Sequence, residues 1–319
     1  MKRRRLIVLL VAAAGLSSII LSGQAQKPEP QGTLSLSGAW ALYPMAVKWQ
    51  EEFQRIYPKV RIDVQAGGAG KGIADVLSGA VDIGMVSRDV QKVEIDKGAL
   101  PIAVTKDAVV PMISVKNPLL REILKKGMRR EQFIALWITE QAKTWGELVG
   151  VKNGAPVRVF TRSDACGAAE TWAAYLGKKQ EDLRGVGIYG DPGLAEAVRR
   201  EPLALGYNNV NYAYDPKTLK PVAGLAVLPL DLNENGVVDL EEDFYADRER
   251  MTKAIAEGRY PSPPARNLFF VTKGKPQKPL LLEFIKWVLS GGQKFVPETG
   301  YITLSAETLA EGLRAIGGK

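Results

Sequence analysis

Two groups of residues in this chain have types and spacings suited to chemistry. The first is the run Asp231-Leu232-Asn233-Glu234-Asn235-Gly236-Val237-Val238-Asp239-Leu240-Glu241-Glu242, which satisfies D-x-[DN]-x-[DN]-G-x5-E at every defined position. In such a loop Asp231, Asn233 and Asn235 set oxygens on one side and Gly236 permits the sharp turn. The Val237 carbonyl adds a donor, Asp239 contributes directly or through water, and Glu242 closes the shell with both oxygens. That all-oxygen set is the chemistry of a Ca2+ site. Leu225–Leu230 before it reads as extended and contains Pro229, so no amphipathic helix enters the loop, although residues 242–250 read as a helix leaving it. An isolated structural calcium loop is expected, not a paired sensor.

The second group is three glycine-bearing turns, each expected to open onto a helix: Ser37-Gly38-Ala39, Gly67 to Gly72, and Cys166-Gly167-Ala168. A helix N-terminus offers unpaired backbone N–H groups and about half a positive charge, so it attracts anions. Glycine lets the backbone come close to a ligand. Arg162, four residues before Cys166, adds a guanidinium able to clamp an oxyanion. These turns match neither a P-loop nor a dinucleotide fingerprint, because no Gly-Lys-Ser/Thr follows Gly67 and the G-x-G-x-x-G spacing is absent.

The elements that must position these turns alternate between strand and helix periods. Strands are predicted at Thr33–Ser37, Val60–Val64, Val81–Val86, Ile102–Val115, Val157–Phe160, Leu203–Tyr207 and Leu268–Thr272. Helices are predicted at Pro44–Ile56, Ile73–Leu77, Arg130–Leu148, Ala168–Leu176, Leu194–Arg199, Pro279–Leu289 and Ala306–Ile316, the first with Met45, Trp49, Phe53 and Ile56 on one face. The repeated strand–helix units imply an α/β fold.

Composition narrows the function classes. The chain has 319 residues and not one histidine, which removes Ser-His-Asp and Cys-His catalysis and every His-based zinc or haem site. The lone cysteine, Cys166, cannot form an internal disulfide. A helix N-terminus acidifies a thiol, but without a histidine base a pocket-lining role is expected for it. Residues 1–25, with Lys2 to Arg5 ahead of an apolar run and small residues at Gly23 and Ala25, read as a signal peptide, with an uncleaved membrane anchor as the alternative. Residues 26–32 read as a linker. Loss of the leader would leave an excess of four basic residues instead of eight, too few for a nucleic-acid reader but suited to an anion receptor.

Ser37-Gly38-Ala39 with Tyr43-Pro44, Gly79-Ala80-Val81-Asp82-Ile83-Gly84 followed by Ser87-Arg88, and Arg162-Ser163-Asp164-Ala165-Cys166-Gly167-Ala168 together resemble the phosphate-binding proteins of ABC transporters. Gly206-Tyr207, Tyr212-Ala213, Tyr260-Pro261, Lys273-Gly274-Lys275 and Gly300-Tyr301 continue the same order, so the resemblance spans most of the chain. It implies a type II periplasmic-binding-protein fold, two α/β lobes joined by two crossing strands. Residues 33–108 and 266–319 would form lobe 1 and residues 109–265 lobe 2. By position it implies a ligand shell of the Leu42 and Tyr43 backbone, the Ala69 backbone, the Ser87 hydroxyl, Arg162, and the turn Cys166-Gly167-Ala168. Where the family offers hydroxyls this chain has Leu42, Ala69, Cys166 and Ala168, and each lost donor is worth about 1 kcal/mol in a buried site. The implied activity is capture of phosphate or a related oxyanion by an exported monomer, without chemistry, for delivery to a membrane permease. A calcium-stabilised surface adhesion or signalling protein and an exported phosphatase are the other readings.

Overall fold

In the computed structural model, which describes residues 29–317, the chain first builds one half of a sheet. β1 (Gly32–Gly38) runs parallel to β2 (Val60–Ala66) and to β3 (Ile83–Val86). α1 (Tyr43–Ile56) links β1 to β2, with Pro44 in its first turn, and buries Met45, Trp49 and Phe53 at a four-residue spacing. Ile56, expected on that face, is exposed at the C-terminal end of the helix. α2 (Ala69–Ser78) links β2 to β3. It starts at Ala69, not Ile73, so residues 69–72 of the glycine-rich segment are its first turn. A Cβ on Gly72 would stand 2.6 Å from the Met85 carbonyl oxygen, so the glycine is what lets α2 lie directly on the strands.

After α3 (Lys92–Asp96), β4 (Ala99–Ser114) runs for 16 residues and leaves this half of the molecule. The second half then forms. α4 (Leu120–Lys126), α5 (Arg130–Trp137) and α6 (Trp145–Val149) precede β5 (Arg158–Arg162). The single helix expected over 130–148 is therefore two. The reason is local: Thr144 accepts from the Glu147 amide and Glu147 reaches back to the Thr144 amide, a capping box that starts a new helix. α7 (Gly167–Tyr175), β6 (Val186–Ile188), α8 (Asp191–Arg200), β7 (Ala204–Asn209), α9 (Val210–Ala213), β8 (Leu225–Val227) and α10 (Arg248–Ala256) follow. β9 (Ala265–Lys273) then returns to the first half, which α11 (Pro279–Val288) and α12 (Ala306–Ala315) complete.

The strand order is β2-β1-β3-β9-β4-β7-β5-β6, with β8 also on β4. β4 pairs antiparallel with β9 along Ala99–Ala108 and with β7 along Val109–Ile113, so one strand belongs to both halves. A register shift between Ala103 and Thr105 marks its passage, as expected of a bulge that adds twist. Two hydrophobic cores result. One holds Leu34 through Val104 and Leu268 through Ile316, and the other Ala108 through Ala265. The second is built on aromatics: Trp172 stacks on Tyr207 at 5.7 Å, with Trp137 and Phe133 edge-on or tilted around Trp172. The molecule is a two-lobed α/β fold with β4 and β9 as crossing strands. No helix among the described residues is long and apolar enough to cross a membrane. The expected signal peptide lies outside the described residues.

Candidate functional site

Lobe 1 presents three strand ends to lobe 2. After β1, a tight 310 turn over Trp40–Leu42 leads into α1. Within it the Leu42 amide donates to the Ala39 carbonyl at 3.2 Å and the Tyr43 amide to that of Trp40. The two backbone donors implied by resemblance are thus spent inside the turn, because a 310 turn closes each N–H onto the third residue back. The Trp40 backbone carbonyl accepts from the Tyr212 hydroxyl of lobe 2 at 3.1 Å, and the Trp40 ring meets Tyr189 edge-on. Tyr212 lies close enough to feel Tyr43, Asp191 and Arg162, and burial, the largest influence, raises its pKa.

After β2, Gly68 at φ +92° sets up α2, and the Gly70 amide donates across the cleft to the Ala165 carbonyl at 3.3 Å. The Ala69 and Lys71 amides have no acceptor among the described residues. After β3 comes Ser87, only 2% exposed.

Lobe 2 answers with β5, whose last residue is Arg162, and with α7, capped by Cys166. The Cys166 sulfur accepts from the Ala169 amide at 3.5 Å, which leaves the Gly167 and Ala168 amides without an acceptor among the described residues. Gly167 lies flat against Ser87. Ala69, Ser87, Arg162, Cys166, Gly167 and Ala168 therefore meet where the N-termini of α2 and α7 abut. Burial pushes the Cys166 thiol up to about 12, so the sulfur is a neutral acceptor there, not a thiolate.

Arg162 has company that its sequence neighbourhood only half shows. Its Nε donates to Asp164 Oδ1 at 2.8 Å and its Nη2 to Asp164 Oδ2 at 2.6 Å. Its Nη1 donates to Asp191 Oδ2 at 2.9 Å, and the guanidinium is fully buried. Three of its five N–H groups are committed, leaving two for a ligand. A second arginine, Arg266 on β9, donates to Asp107 on β4 at 3.1 Å, to the Gly167 carbonyl at 2.7 Å, and to Asn209. Asn209 donates in turn to Asp191 at 2.5 Å. A continuous buried network thus ties the crossing strands to the start of α7 and to Arg162. Burial outweighs the pull of Arg266 and raises the Asp107 carboxyl to about 7; Asp191 is raised by the same cause. Asp191, Asp107, Asn209 and Arg266 have no sequence motif that would single them out. Only the pairing of β4 with β9 and β7 brings them together.

Beside this network, a groove of about 1040 Å3 runs between the lobes, lined by Arg88, Lys106, Lys178, Lys179 and Arg266 against Asp89, Glu170 and Glu181. Arg88 of lobe 1 and Glu170 of α7 form an ion pair across it at 2.5 Å. The Asp231–Glu242 loop lies in lobe 2, between β8 and α10. No helix leaves it directly: residues 243–247 are irregular, and α10 begins only at Arg248, capped by the Asp247 side chain.

A model of the PBP superfamily domain matches residues 23–291. The phosphate-binding protein PstS of Pseudomonas aeruginosa is 28% identical, over 99% of this chain and 100% of that protein. The Bacillus subtilis PstS is 27% identical over 81% of this chain and 86% of its own length. Among solved structures, a phosphate ABC transporter substrate-binding protein with bound phosphate from Clostridium perfringens superposes with a TM-score of 0.71 at 23% identity, covering 86% of this chain and all of that one. A phosphate transport receptor of Vibrio cholerae reaches 0.61 at 18% identity, over 85% of this chain and all of its own. With a family match across most of its length and the same two-lobed fold, this chain belongs to the PBP superfamily.

Proposed function

We propose that the protein is an extracytoplasmic receptor that closes its two lobes on phosphate or a related tetrahedral oxyanion and delivers it to a membrane ABC permease. One observation carries the reading. Two helix N-termini from opposite lobes, α2 and α7, abut with four amides free of protein acceptors, beside an arginine with two N–H groups left over. Such a shell suits an oxyanion, whose several acceptor lone pairs need many donors at once. The relatives named phosphate-binding protein and the neighbour with bound phosphate support phosphate as the first candidate.

The charge balance fits a receptor. Arg162 is matched by Asp164 and Asp191, so the site attracts through oriented N–H dipoles and not through net positive charge. Ser87 adds a buried hydroxyl. With Cys166 held neutral and no histidine in the chain, no activated nucleophile stands in the shell. The basic N-terminal segment supports export of the chain.

Titration calorimetry with phosphate, sulfate, molybdate and tungstate tests the proposal. Submicromolar, one-to-one binding of one oxyanion without turnover is the expected result. Silence with all four, or hydrolysis of a phosphate ester, overturns it.

A further inference from the structure

The interlobe site leaves one conspicuous motif unused. The Asp231–Glu242 loop is folded in the order its sequence pattern requires. Gly236, at the sixth position, takes φ +80°, and its amide donates to Asp231 Oδ2 at 2.9 Å. Asn233 Oδ1 accepts from the Asn235 amide at 3.1 Å and Asn235 Oδ1 from the Val237 amide at 2.9 Å, which fixes where both side-chain oxygens stand. Glu242 is only 5% exposed. Its Oε1 accepts from the amides of Leu232 and Asn233 at 2.8 and 3.1 Å, and its Oε2 from that of Asp239 at 3.3 Å, so the last position is folded back over the first.

A separate observation points to a ligand. Asp231 is 4% exposed, and its Oδ1 is buried without any hydrogen-bond partner. A buried carboxylate oxygen with nothing to bind costs free energy that a native structure rarely tolerates. No basic side chain pairs with Asp231, Asp239 or Glu242 among the described ion pairs, and Arg259, which lines a hollow with Asn233, Asp239 and Glu242, is held by Glu257 and the Glu241 carbonyl. An extra positive charge at this place would satisfy the orphan oxygen and offset three carboxylates at once.

We propose that Asp231–Glu242 binds one calcium ion, through Asp231, Asn233, Asn235, the Val237 carbonyl, Asp239 and Glu242. Six residues, one of them bidentate, supply the six to eight oxygens that calcium accepts, whereas magnesium demands a tighter octahedron and keeps its waters. Among the described residues no three acidic side chains stand together as a metal site, so calcium would have to draw Asp231, Asp239 and Glu242 inward, with two amides and a peptide carbonyl completing the shell. Binding requires Asn233 and Asn235 to release the 2.8 Å hydrogen bonds their NH2 groups make to Asp239.

The ion would act as a staple within lobe 2. The Asp231 amide donates to the Met128 carbonyl at 3.0 Å and the Val238 amide to that of Lys125 at 3.0 Å, so the loop ties the end of α4 to the segment before α10. Immediately after it, Phe244 stacks on Tyr245, and the Tyr245 hydroxyl accepts from the Leu230 amide at 3.0 Å.

Calorimetric titration of the purified protein with CaCl2 and with MgCl2, in phosphate-free buffer, reads the site directly, with thermal unfolding in parallel. One calcium per chain is expected, with magnesium at least tenfold weaker. Tm should rise by roughly 5 °C once calcium stands about a hundredfold above its dissociation constant. Glu242→Gln keeps an oxygen for the Leu232 and Asn233 amides but loses the charge and the acceptor for the Asp239 amide. It should weaken calcium at least tenfold while still unfolding in one cooperative transition in EDTA, which shows that the variant folds. Absence of binding and of any Tm shift up to about 10 mM calcium, beyond the weak extracellular range, overturns the proposal. So does Glu242→Gln binding calcium with wild-type affinity.

Discussion

Gly167 of lobe 2 lies so close to Ser87 of lobe 1 that a Cβ on the glycine would collide with both the carbonyl and the hydroxyl of the serine. The two residues sit on opposite sides of the cleft, so this contact exists only when the lobes are together. Gly167 is the first residue of α7, where alanine is at least as good a helix former. If the proposed oxyanion capture holds, Gly167→Ala should therefore weaken that binding at least roughly tenfold, by holding the lobes apart, yet leave the ligand-free Tm within about 2 °C. Calorimetry and thermal unfolding measure the two effects separately. Wild-type affinity in the variant would remove this contact from the closing mechanism.

Arg162 is wholly buried between Asp164 and Asp191. Removing one partner of a buried charge group strands the others. Arg162→Ala should cost about 3–5 kcal/mol in urea unfolding. Adding Asp191→Asn should restore at least about 1 kcal/mol, because one stranded charge disappears. Strict additivity of the two substitutions would show that the pair is not coupled.

Asp107 gives the protein a pH signature. The unfolded carboxyl loses its proton near its ordinary value of 3.8, whereas burial in the folded state holds it to about 7. Between these values the folded form binds more protons than the unfolded form, so stability falls as pH rises from about 4 to 7 and levels off above. Asp107→Asn keeps an oxygen for Arg266 and removes this titration. A plot of Tm against pH should be shallower over that window in the variant, with a residual slope from Asp191, which shifts in the same direction. An unchanged slope would contradict the assignment.

The interlobe groove carries five cationic side chains against three acidic ones. Lys178 and Lys179 are exposed on it. Their joint replacement by glutamate should slow association of the proposed oxyanion by at least about threefold at low ionic strength, with the dissociation rate unchanged and the difference lost in high salt. Stopped-flow mixing against salt concentration checks it.

Much of this molecule was legible residue by residue. The four-residue spacing of Met45, Trp49 and Phe53, the proline opening α1 and α11, and the serine and threonine positions at helix starts act within one turn of chain, so sequence alone determines where those elements lie. The glycines at 38, 68 and 167 likewise announce close backbone approach. Even here local reading had limits: the Thr144–Glu147 box cut one expected helix in two, and Gly70 and Gly72, expected in a turn, proved to lie in the first turn of α2.

What surrounds Arg162 was decided elsewhere. Asp191 is 29 residues away and the Asp107–Arg266 pair is separated by 159, distances over which no periodicity or spacing carries information. These groups meet because β4 passes through both lobes and β9 returns beside it. Once buried together, they must satisfy one another, since water is no longer there to do it.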